Sequence, residues 1–164
     1  MVTKEEVERL AGKFAAAGFV LALAAHLYAL DHIDVSEHIP GIWFLHLAVF
    51  PLFFFFLFVF KRDSGALNLF IELRFRTAPR LATLALAGLL AYAMADIYVF
   101  RQGDVGDPEI KNGKYVLVSR GKFDRETGEA EYHEQRARIM ESYSAAWMVM
   151  FAAPALYFAL RRKV

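Results

Sequence analysis

Four long apolar stretches constrain this chain more than any other feature: Phe14–Leu30, Pro40–Phe60, Leu81–Phe100 and Tyr143–Leu160. Each has roughly the length an α-helix needs to cross ~30 Å of hydrocarbon at ~1.5 Å per residue. Nearly every position in them is Ala, Leu, Phe, Val, Gly or Met, so none carries the polar stripe of a soluble helix. A soluble bundle would need amphipathic helices to shield such runs, and the chain has too little left to supply them. Hydrophobic residues make up 57% of the sequence, above the ~45–50% of soluble domains. Apart from Asp96, the 23% that are charged lie outside the runs. The expected fold is an all-α integral membrane protein: a four-transmembrane-helix bundle forming one membrane domain over residues 1–164. Pro51 and Pro154 fall inside two runs, where each predicts a kink.

The basic residues set the expected orientation. Lys4, Arg9 and Lys13 precede the first run, and Lys61, Arg62, Arg74, Arg76 and Arg80 lie between the second and third. Arg161, Arg162 and Lys163 follow the fourth, while the link Asp31–Ile39 has no Lys or Arg. The positive-inside rule then places both termini and the 61–80 link in the cytoplasm. Trp43 and Trp147 fall near the predicted outer boundary, as an aromatic belt requires. The N-terminus lacks the basic-then-apolar order of a secretory signal, so the first run reads as a retained helix. A bacterial inner membrane is the expected location. Leu67, Phe70, Ile71 and Arg74 have the spacing of an amphipathic helix on the inner leaflet, and Pro79 suits the first turn of the third helix.

Residues 101–142 form the one sizeable polar insert, expected outside the membrane. Asn112-Gly113 between Glu109-Ile110-Lys111 and Lys114-Tyr115-Val116-Leu117-Val118 signals a type I′ hairpin. Gly121 allows a further turn and a third strand at Lys122–Arg125. From Glu129 the pattern is helical, with Glu134 and Arg138 as an i,i+4 pair, and no breaker intervenes before Tyr143. The fourth helix should therefore start outside the membrane and run inward for ~30 residues, forming with the β-meander a small extracytoplasmic cap. Tyr132, Arg136, Ile139 and Tyr143 share one stripe of it, suited to packing against Tyr115 and Leu117 or to docking a partner. The run Phe53–Phe56 puts large rings on every side of the second helix.

Ionisable groups inside a membrane need a reason. His26, His46 and Asp96 occupy three different helices, each an estimated ~6–9 Å below the outer end. Above them the link carries Asp31, His32, Asp34, Glu37 and His38, and Tyr28, Tyr92, Tyr98, Ser142 and Tyr143 add hydroxyls. One reading is a transition-metal site of His26, His46 and Asp96, closed by His32 or His38. Another makes His26 and His46 axial ligands of a haem. The structural alternative is a hydrogen bond between His26 and Asp96 across a helix interface. None of these spacings is a metal signature.

Other chemistries find less in the sequence. A proton or ion path would stop halfway, since the inner halves of the helices are almost free of polar residues. Ser119, Ser142, Ser144 and His133 lack a glycine-flanked nucleophile elbow. With no cysteine there is no disulfide or thiolate ligand. No glycine-rich phosphate loop points to a nucleotide, and a net charge of +1 gives no pull toward nucleic acid. The expected role is an accessory or interaction subunit that meets another membrane or periplasmic protein through the cap. Metal or haem handling is the runner-up, and a regulatory protein acting at the outer face is the third class.

Overall fold

A computed structural model describes residues 3–64, 80–102, 106–119 and 122–160 of the chain. The expected amphipathic helix around Leu67–Arg74, the place of Pro79, the turn at Gly121 and the basic cluster Arg161–Lys163 lie outside the described residues. The elements are α1 (Lys4–Leu30), α2 (Val35–His38), α3 (Phe44–Ser64), α4 (Arg80–Gln102), β1 (Asp107–Lys111), β2 (Lys114–Ser119), β3 (Lys122–Glu126) and α5 (Glu129–Leu160). The described residues are mostly helical, with one small antiparallel sheet. Helices α1, α3, α4 and α5 are long and apolar enough to cross a membrane.

Local chemistry explains where these elements begin. Thr3 opens α1 with a capping box: its hydroxyl accepts from the Glu6 N–H at 3.3 Å, and the Glu6 carboxylate accepts from the Thr3 N–H at 2.7 Å. Asp34 caps α2 in the same sense, accepting from the Ser36 N–H at 3.1 Å. The second apolar run was expected to be helical from Pro40, but α3 starts at Phe44. Pro40 disfavours helical geometry at the residue before it, and Gly41 sits at φ +86°, outside the helical region. In the meander, Asn112 and Gly113 have φ of 53° and 76°, the pair of positive values a type I′ turn needs. Strand β2 is central, pairing with β1 through Ile110↔Tyr115 and with β3 through Leu117↔Arg125.

Helix α5 is the hub. Its apolar window is half buried, against 11% for that of α4. At 32 residues it is ~48 Å long, enough to run unbroken from the polar cap through the apolar bundle. Against it α1 presents Ala11, Ala15, Gly18, Ala22, Ala25 and Ala29, all buried. Their spacing of four and three residues makes one continuous seam, and their small side chains let the two backbones come close. A Cβ built on Gly18 would lie 2.4 Å from the Phe151 ring, so only glycine fits there without movement. The phenylalanine run is one-sided rather than uniform: Phe56 is fully buried against Phe60, Tyr157 and Phe158, while Phe54 is 63% exposed.

The cap is braced to the bundle at several points. The Tyr115 and Tyr132 rings lie 4.8 Å apart, and the Tyr115 hydroxyl donates to Glu129 at 3.2 Å. Arg125 of β3 and Thr127 both bind the Glu131 carboxylate. The stripe on α5 divides its work: Tyr132 meets the meander, Arg136 reaches the α1–α3 link, and Tyr143 packs on Trp43. The link, the end of α4 and the start of α5 therefore gather at one end, the cap end.

Candidate functional site

Among the described residues, three groupings of polar and aromatic side chains stand out at the cap end of the bundle. The first joins three helices around His26 of α1, which is buried. Its Nδ1 lies 3.1 Å from the Glu141 carbonyl and 3.0 Å from Ser144 Oγ, and its Nε2 lies 2.5 Å from the Tyr92 hydroxyl. A carbonyl can only accept, so Nδ1 carries the proton and Nε2 accepts from Tyr92. Both ring nitrogens of a neutral imidazole are thereby used, and a metal ion on Nε2 would have to displace Tyr92. Ser144 in turn donates to the Met140 carbonyl at 2.7 Å. His26 faces that serine with an N–H rather than a lone pair, so it cannot take the serine's proton as a hydrolase base would.

Asp96 completes this grouping from α4. It lies within electrostatic reach of His26, Tyr92 and Glu141. The Asp96 Oδ2 atom is buried without a hydrogen-bond partner. The expected direct hydrogen bond between His26 and Asp96 is replaced by bonds from His26 to Tyr92 and Ser144.

His46 of α3 belongs to a separate, aromatic grouping. Its Nδ1 accepts the Trp147 indole N–H at 3.0 Å, which places the ring proton on Nε2. Tyr143, Phe50 and Trp147 surround it with ring centroids 5.1–5.9 Å away. Trp43 stacks edge-on against Tyr143 and Trp147. The structure thus gives His26 and His46 different partners on α5.

The third grouping binds the α1–α3 link to α5. Asp34 is buried; its Oδ1 takes the N–H and hydroxyl of Ser36, and its Oδ2 lies 2.5 Å from Arg136 Nε. That last contact is an ion pair rather than a directed hydrogen bond, since Oδ2 meets no hydrogen-bond geometry. Arg136 also donates to the Tyr132 hydroxyl at 2.9 Å and to Ser36 Oγ. His133 Nδ1 stands 3.3 Å from Glu37 Oε1 and 3.8 Å from Asp34 Oδ2. Among the described residues, the ligand atoms of Asp34, Glu37 and His133 come within 4.8 Å of one another as a group able to hold a metal ion.

Of the five residues named from sequence as metal candidates, His26 and Asp96 share one grouping and His46 has another. His32 is exposed with φ 60°, and His38 is exposed with its Nδ1 on the Asp34 carbonyl at 3.1 Å. Sequence reasoning missed the parts played by Glu141 and Arg136. It also missed α2, although Asp34-Val35-Ser36-Glu37 has an N-cap residue followed three places on by Glu, a helix-start signal. Comparison with known protein families, characterised proteins and solved structures returns no match to this chain.

Proposed function

We propose that this chain is a small inner-membrane accessory protein that crosses the bilayer four times, with both termini cytoplasmic, and offers its cap to a membrane or periplasmic partner. The observation that carries the reading is the bracing of the cap. An unbroken α5, the Tyr115–Tyr132 contact, the Arg125–Glu131 pair and the Arg136–Asp34 pair hold a three-stranded meander in fixed relation to the bundle. A tethered surface held in one orientation loses less entropy on binding than a mobile one. Ile110 and Phe123, each 59% exposed, are apolar side chains on the outside of this meander, whose Val116, Leu117 and Val118 are buried. The basic residues of α1 and α3 at the far end support the orientation.

Site-specific photo-crosslinking tests this role. A benzoylphenylalanine at Ile110 or Phe123 should give a protein adduct of one defined mass in native membranes. The same probe at Leu84, 69% exposed on α4, should react with lipid. Cap positions that yield no protein adduct would contradict the reading.

The haem alternative draws little from the geometry, because His26 and His46 are held by different neighbours. Metal handling is favoured by one specific observation, the convergence of Asp34, Glu37 and His133.

A further inference from the structure

We propose that Asp34, Glu37 and His133 form a divalent transition-metal site, zinc in class, that clamps the α1–α3 link onto the outer half of α5. Three electron-pair donors converge there from two separate segments. Three donors at ~2.0–2.2 Å from a tetrahedral ion stand about 3.3–3.6 Å from one another. The His133–Glu37 separation of 3.3 Å matches that edge, and the His133–Asp34 separation of 3.8 Å is close to it. One imidazole and two carboxylates are a usual zinc donor set.

Hydrogen bonding leaves the site incomplete. His133 Nδ1 is a buried atom near both carboxylates yet hydrogen-bonds neither, so it is aimed at neither oxygen. Asp34 Oδ2, on a side chain that is only 3% exposed, is ion-paired to Arg136 but likewise has no directed hydrogen bond. A cation between these atoms gives the His133 nitrogen a partner and draws the Glu37 and Asp34 oxygens onto one centre. Glu37 lies at the solvent edge, 48% exposed, which gives the ion an entry path and leaves a coordination position for water.

Arg136 sets the strength of the site. Its guanidinium offsets one of the two carboxylate charges, so the four side chains sum to −1 with His133 neutral. It is held in place by Tyr132 and Ser36 and shares Asp34 with the ion rather than vacating it. Binding should therefore be weaker than in a closed structural zinc site with four protein ligands. The site is separate from the crosslinking surface of the cap, so it can fail without affecting the accessory role.

The test is zinc titration of tag-free, full-length protein in detergent, followed by calorimetry and by thermal melting. The wild type should bind one zinc per chain and melt at a higher temperature with zinc than without. Glu37→Gln and His133→Gln should each weaken binding about tenfold or more, at least what the loss of an outer-sphere partner costs a metal site. Glu37 is exposed, so its replacement leaves the fold intact. His32→Gln, a change at an exposed histidine of the same link, should bind as the wild type does. Absence of saturable zinc binding overturns the proposal. So does binding that survives both Glu37→Gln and His133→Gln, or a loss in His32→Gln equal to theirs.

Discussion

Gly18 and Gly88 occupy similar apolar helices and should respond oppositely to the same change. A methyl group at Gly18 would meet the Phe151 ring at 2.4–2.7 Å, whereas at Gly88 it would meet nothing within 4 Å. Replacing helical glycine by alanine gains ~1 kcal/mol of propensity. Overpacking a buried seam costs ~1–3 kcal/mol. Gly18→Ala should therefore lower stability and Gly88→Ala should raise it or leave it unchanged, as read from thermal melts in one detergent. A Gly18→Ala protein at least as stable as Gly88→Ala would remove the seam from the account. At this scale the sequence was partly legible. That His26 and Asp96 needed partners followed from their place in apolar runs, because an unpaired polar group there is costly. Which partners they took did not follow. The Tyr92 and Ser144 bonds to His26 depend on how α4 and α5 rotate about α1, and nothing local to residue 26 encodes that rotation.

At the scale of elements, the seam between β2 and α5 makes a pH prediction. Burial, and then the hydrogen bond to Glu129, raise the Tyr115 hydroxyl above its ordinary value near 10. A group whose pKa is higher folded than unfolded stabilises fully below the unfolded value and loses that contribution as pH rises through the folded one. The cap should thus weaken from about pH 10 upward. Thermal melts taken between about pH 9 and pH 11 should fall less steeply in Tyr115→Phe than in the wild type. Equal slopes would mean that the seam does not carry this titration. The elements themselves were largely readable. The Asn112-Gly113 turn, the three strands and the long α5 each rest on short-range rules of turn chemistry, strand pattern and absent breakers. The exception is the start of α3, where a run of apolar composition hid the breaking effect of Pro40 and Gly41. The Ala and Gly seam of α1 was present in the sequence, but against a uniformly apolar background small residues give no contrast in hydrophobicity.

At the scale of the whole molecule, the proposed function rests on one premise: that the apolar helices have lipid as their solvent, with the cap and the Lys61 end of α3 on opposite sides of it. Large apolar side chains such as Phe44, Leu47, Phe54, Phe58, Leu81 and Leu84 stand 63–81% exposed along the helices, a surface suited to lipid and unsuited to water. The chain contains no cysteine, so a single introduced thiol reports its own side without background. Asn112 sits at the tip of the hairpin and Lys61 near the end of α3, both exposed. The decisive measurement is labelling of Asn112→Cys and Lys61→Cys with a membrane-impermeant maleimide in spheroplasts. The account predicts that Asn112→Cys labels in intact spheroplasts and Lys61→Cys only after lysis. Labelling of both in intact spheroplasts, or of Lys61→Cys alone, would contradict it.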